Sequence, residues 1–146
     1  MKIIIEEKQS KEEEDTIIVR CDSLSENLWK LLQQFKTNDE LLTVTKDGQI
    51  SRIKPTDVYY IESVDHRTFL YTEKDVYEIK KKLYEMEQQY QGIDYFRVSK
   101  SVIVNLNKVK FLSPVLGSRL EATLLNGEKI MISRQYVAAL KTLLGL

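Results

Sequence analysis

The chain is poor in the residues that usually carry catalysis or covalent cross-linking. Its 146 residues include one cysteine, one histidine, one tryptophan and two prolines. The lone Cys21 can close no internal disulfide, which excludes a disulfide scaffold and fits a reducing compartment. No Cys, His and carboxylate group has metal-ligand spacing. There is no nucleotide-binding glycine loop and no Gly-x-Ser-x-Gly motif. The chain is therefore read as no enzyme, with no cofactor, metal or small-molecule substrate. No apolar run approaches the roughly 20 residues of a membrane-spanning helix. The stretch Ile3–Ile5 is too short for a signal peptide and runs at once into Glu6 and Glu7, so the expected compartment is the cytoplasm. Neither charge is in excess, with 22 basic and 22 acidic residues.

What the chain does have is an ordinary globular composition, 42% hydrophobic, enough for one domain with a small appendage. Its charge is unevenly distributed. Residues 1–40 hold ten acids and six bases, whereas 94–146 hold three acids and eight bases. A basic face can attract phosphate even on a neutral chain.

The first forty residues read as strand, strand, helix. Ile3–Ile5 and Thr16–Cys21 are the β-branched runs, and the charged stretch Glu6–Asp15 separates them. Ser23 and Glu26 have capping-box spacing. Leu24, Leu28, Leu31, Leu32 and Phe35 then mark one helix face, with Trp29 off that stripe. From Leu41 the pattern turns to short strands. Leu41–Lys46 and Gln49–Lys54 flank Asp47-Gly48, a hairpin signal. Val58–Ser63 and Thr68–Thr72 are two more strands, joined by Val64–Arg67. Helical spacing at Val76, Ile79, Leu83, Met86 and Tyr90 predicts a helix that stops at Gly92 and turns Lys80, Lys81 and Lys82 to solvent. Strands follow near 110–112, 120–125 and 128–132, the last two around Asn126-Gly127. Val137, Leu140, Leu143 and Leu144 predict a final short helix.

Two runs stand out. One is Phe96-Arg97-Val98-Ser99-Lys100-Ser101 with Val104-Asn105-Leu106. The other is Leu125-Asn126-Gly127 with Ile132-Ser133-Arg134-Gln135-Tyr136. Together with the earlier strand Tyr59-Tyr60-Ile61-Glu62-Ser63, and in this order and spacing, residues from about 43 to 144 resemble the LytTR family of DNA-binding domains. The resemblance implies an α+β, predominantly β fold. It would be an elongated β domain with short helices at 41–146, preceded by the strand-strand-helix unit at 1–40. It also implies a bacterial transcriptional regulator that meets duplex DNA through loops and strand ends in the major groove.

Carried onto this sequence, the resemblance makes Arg134, Lys100 and either His66 or Arg67 the candidate base readers. Ser101 matches a phosphate-contacting position, and Ser133 and Gln135 flank Arg134. Ser99 stands where the family commonly has histidine, so this position departs from the pattern. The chemistry agrees with these assignments. Arg and Lys donate to guanine O6 and N7, and serine hydroxyls hold phosphates. Asn105 is read as a turn-satisfying residue, and Arg97 as a lesser contact or an internal ion pair. The N-terminal unit is expected to form a homodimer, placing two protomers on direct repeats about one helical turn apart, or to dock a partner. Forty residues are too few for a receiver domain, so the expected control is by level or by a membrane-protein regulator, not by phosphorylation. The alternative function is a protein-interaction module that keeps the fold without DNA readout. An RNA binder would need an exposed aromatic platform, for which Tyr59-Tyr60 is the candidate.

Overall fold

The computed structural model describes residues 2, 4–90 and 94–146. In chain order the elements are α1 (Glu26–Asp39), β1 (Leu42–Lys46), β2 (Gln49–Ile53), β3 (Tyr60–Val64), β4 (Arg67–Tyr71), β5 (Val76–Ile79), α2 (Leu83–Gln89), β6 (Tyr95–Arg97), β7 (Val102–Asn105), β8 (Val109–Val115), β9 (Arg119–Leu124), β10 (Lys129–Ile132) and α3 (Arg134–Leu143). The strands form a seven-stranded sheet in the order β2-β1-β5-β4-β3-β7-β6 and a three-stranded sheet in the order β10-β9-β8. Every pairing is antiparallel. The fold is α+β and predominantly β.

Turn chemistry sets the hairpins. Asp47 and Gly48 both take positive φ, 51° and 75°, the combination that a two-residue hairpin needs to match strand twist. Asp65 and His66 do the same at 50° and 62° and join β3 to β4. In the last hairpin only Gly127 is left-handed, at φ 88°. There the Asn126 side chain accepts the Glu128 N–H at 3.1 Å, and the Gly127 N–H reaches the Leu124 carbonyl at 3.0 Å.

Strand alternation builds two cores. In β7, Ile103 joins one buried cluster and Val104 the other. In β3, Ile61 faces the first cluster and Tyr60 packs on the second. Leu83, Met86 and Tyr90 of the α2 region close the first core. Leu120, Ala122 and Leu124 recur with period two along β9 and, with Ile132 and Leu140, close the second. Asn105 sits where the layers meet, only 2% exposed. It donates to the Val58 carbonyl at 2.8 Å and accepts the Asn107 N–H at 3.1 Å, the turn-satisfying role expected of it.

Three expectations are corrected. No strand forms at 16–21 or at Ile4–Ile5, which lack regular structure and are exposed; Ile3 lies outside the described residues. A β-branched run needs a partner strand to pair and bury it, and among the described residues these segments have none. The helix begins at Glu26, and its cap is Ser25, not Ser23: the Ser25 hydroxyl accepts the Leu28 N–H at 3.2 Å. Leu24 and Leu31 on its stripe and Trp29 beside it stay exposed, while the side chain of Phe35 lies outside the described residues. Finally, Val76 and Ile79 belong to strand β5, because pairing to β4 and β1 outweighs their helical spacing. The second helix is accordingly short, and Lys80–Lys82 form the link that leads into it. Gly92, expected to end it, is outside the described residues.

Met86 is 1% exposed beneath the first core. Met86→Ala is therefore expected to cost about 2–5 kcal/mol, read as a fall in the urea midpoint at unchanged m-value.

Candidate nucleic-acid interface

Two backbone hydrogen bonds assemble the site. The Ser63 N–H at the end of β3 donates to the Ser101 carbonyl at 2.8 Å, and the Ser133 N–H after β10 donates to the Val98 carbonyl at 2.8 Å. They draw together the β3–β4 hairpin end, the β6–β7 turn and the start of α3. His66, Arg67, Ser99, Lys100, Ser101, Ser133, Arg134 and Gln135 all lie on these three segments. The seven-stranded sheet supplies the first two segments and the three-stranded sheet supplies the third, so the site exists only when both cores are formed.

The side chains differ in what holds them. His66 is exposed at the hairpin tip. Arg67 is engaged: its Nε donates to Glu78 Oε1 at 3.0 Å, its Nη2 pairs with the other carboxylate oxygen, and the guanidinium lies 5.2 Å from the Phe69 ring centroid. Hydrogen bonding from Arg67 holds the Glu78 carboxyl below its ordinary range. Of the two alternatives at this turn, Arg67 is held by a carboxylate, and among the described residues His66 has no such partner.

The β6–β7 turn is ordered from within. The Ser99 hydroxyl accepts the Ser101 N–H at 3.2 Å, so Ser99 shapes the turn that presents the exposed Lys100. Ser101 is half-buried beside it. Arg97 lies behind the turn, donating to the Ser99 carbonyl at 2.6 Å, to the Lys100 carbonyl and to Glu87 of α2.

Arg134 is the first residue of α3, with Ser133 as the cap residue. Its Nε donates to the Gly117 carbonyl at 2.9 Å, which fixes the side chain against the β8–β9 turn. Arg119 grips the same turn through the Leu116 carbonyl at 3.2 Å. A Cβ on Gly117 would lie 3.6 Å from each of the two guanidinium groups. Among the described residues, no carboxylate pairs with Lys100, Arg119 or Arg134. A hollow of about 440 Å³ beside the hairpin tip is lined by Ser63, His66, Thr68, Lys82, Leu83, Tyr84 and Arg97.

Sequence reasoning did not single out Arg119, read Lys82 as part of a solvated basic run, and ranked Arg97 as a lesser contact. A lone Arg at a strand start and a Lys in a basic run carry no local signal, and the partners of Arg97 come from other elements. The tyrosine platform is absent. Tyr59 is 7% exposed, and Tyr60 stacks on Tyr71 with centroids 4.2 Å apart. Burial, then the nearby Glu128 charge, pushes the Tyr60 hydroxyl pKa well up. Among the described residues no three His, Cys, Asp or Glu groups gather to hold a metal, and no helix is long and apolar enough to cross a membrane.

A predominantly β scaffold that presents exposed basic side chains on turns, on strand ends and at the first residue of α3 points to a β-based nucleic-acid-binding class. The chain belongs to the LytTr DNA-binding domain family, whose model matches residues 48–145. It is similar to the sensory transduction protein LytT of Enterococcus faecalis, 26% identical over 107 residues, 73% of this chain and 44% of that protein. Against the Bacillus subtilis protein of the same name the figures are 30% over 103 residues, 70% and 43%. Against the Escherichia coli transcriptional regulatory protein YpdB they are 29% over 76 residues, 52% and 31%. The match thus spans less than half the length of each of these relatives. A solved LytTr DNA-binding domain from Bacillus cereus superposes with TM-score 0.70 at 26% identity, covering 74% of this chain and 99% of that one.

The Glu78 pair has a signed pH dependence. Because the folded carboxyl titrates below its ordinary value, the contact is complete above the unfolded Glu pKa and is lost as pH falls through the folded value. A carboxyl-carbon NMR titration is expected to give Glu78 a midpoint below the usual Glu range, and Arg67→Gln is expected to return it.

Proposed function

We propose that the chain is a sequence-specific duplex DNA-binding transcriptional regulator that reads the major groove through turns and strand ends. The observation that carries this reading is the pair of backbone hydrogen bonds, Ser63 to Ser101 and Ser133 to Val98, which gathers the basic turns of a LytTr-family chain into one site. In it, Arg134 and Lys100 donate to guanine edges, and His66 is the third reader at the hairpin tip. Arg67, committed to Glu78, supports that tip. The Ser99, Ser101 and Ser133 hydroxyls and the Gln135 side chain hold phosphates and fix register.

The same reading places the protein in a bacterial cytoplasm. It acts as a homodimer on direct repeats about one helical turn apart. The exposed Leu24, Trp29 and Leu31 around α1 support that helix as the surface for dimerisation or for a regulator, including a membrane-protein one. The competing function is a protein-interaction module without DNA readout. The buried Tyr59 and stacked Tyr60 remove the platform an RNA reader would need.

The test is selection from a random duplex pool at moderate salt with excess nonspecific competitor. Enrichment of a short motif supports the proposal; no enrichment by folded protein favours the interaction module. On the selected site, Arg134→Ala is expected to cost about 1–3 kcal/mol and to relax one base position. Ser101→Ala is expected to weaken all sequences about equally. With six to ten phosphate contacts, affinity would fall about 10³–10⁵-fold between 50 and 200 mM salt. Unchanged affinity and base preference in Arg134→Ala would remove that residue from the site.

A further inference from the structure

Arg97 is well placed to touch DNA by its position in the chain, yet its side chain is turned to another task. It ends β6, paired with Ile103 of β7, and its side chain is 19% exposed. Its planar group meets three acceptors: the Ser99 carbonyl, the Lys100 carbonyl and the Glu87 carboxylate. Two successive carbonyls of one turn thus converge on a single rigid fork. That fixes the peptide planes on both sides of Lys100, and with them the direction in which the Lys100 side chain leaves the turn. It also holds two carbonyl dipoles inward, where they cannot face an approaching phosphate. Glu87 cancels the charge of Arg97, so the pair adds little to long-range attraction. A lysine could keep the charge but could not reproduce the fork.

We propose that the Arg97–Glu87 pair is a positioning device: it sets sequence discrimination by locking the 99–101 turn from behind, without touching DNA. The inference rests on the DNA-binding reading above and assigns the pair a role within it. Three consequences separate it from a merely structural ion pair. Discrimination is lost at one base position only, the one read by Lys100. The salt dependence of binding stays the same, because no phosphate contact is lost. The effect of altering Arg97 vanishes once Lys100 is gone, since residues acting through one another are not additive.

The experiment measures affinity for the selected site and its single-base variants over a range of salt. The proteins are the full chain and its Arg97→Lys, Glu87→Gln, Lys100→Ala and Arg97→Lys/Lys100→Ala variants, each with its melting temperature. Arg97→Lys is expected to lose about tenfold in discrimination at the Lys100 position, with an unchanged salt slope and no further loss in the double variant. Glu87→Gln, which leaves the carbonyl bonds in place, is expected to show a smaller loss at the same position. The proposal is overturned by an equal loss on all sequences with a reduced salt slope, which would make Arg97 a phosphate contact. It is equally overturned by additive losses, or by intact discrimination in folded Arg97→Lys. Should Arg97→Lys not fold, Glu87→Gln decides: a loss confined to that position supports the proposal, and no change defeats it. Wild-type protein without any base preference would sink the DNA reading and this inference together. Wild-type preference with no effect of the pair sinks this inference alone.

Discussion

Strand β7 is buried on both faces, and the rest of the structure depends on it. Ile103 points into the core under α2, and Val104 points into the core closed by the three-stranded sheet and α3. A four-residue strand that serves two cores can tolerate no register shift, because a one-residue slip would exchange its faces. Both neighbours, β3 and β6, are held to that register. The turns at their ends, one carrying His66 and the other Lys100, are therefore placed by packing that lies well behind them. The α3 end is tied to the same frame by the Ser133–Val98 hydrogen bond. The site is composite, and its precision comes from the strand that the two cores share.

That arrangement explains a division of labour among the basic residues. Arg67 and Arg97 are spent on structure, each neutralised by a glutamate from a neighbouring element, Glu78 and Glu87. Lys100, Arg119 and Arg134 keep their charge uncompensated among the described residues. A chain of zero formal charge can in this way present a local positive field.

How much of this was legible beforehand follows from the range of each interaction. The Asp47-Gly48 and Asn126-Gly127 turns were legible because their conformational demands are local. The final helix was legible from the spacing of Val137, Leu140 and Leu143. Strand β5 was not, because Val76 and Ile79 also fit a helix, and only the pairing of Thr45 with Glu78 and of Phe69 with Glu78 settles the matter. The N-terminal β-branched runs misled for the opposite reason: the residues favour strands, but among the described residues no strand pairs with them. At the site, the segments around Lys100 and Arg134 were visible through motif resemblance. That the Arg67 side chain is held depends on Glu78, eleven residues away. The bracing role of Arg97 turned on Glu87 in another element. Neither contact leaves a trace in local pattern.

The central claim is that three turns held on one doubly buried strand form a single DNA-facing surface. Backbone amide chemical-shift mapping of the protein titrated with its selected duplex tests this most directly. The account predicts that the large shifts fall together on 65–67, 98–101 and 133–135, with α1 and the β2 edge unmoved. Shifts concentrated on α1 or β2, with those three segments silent, would contradict it.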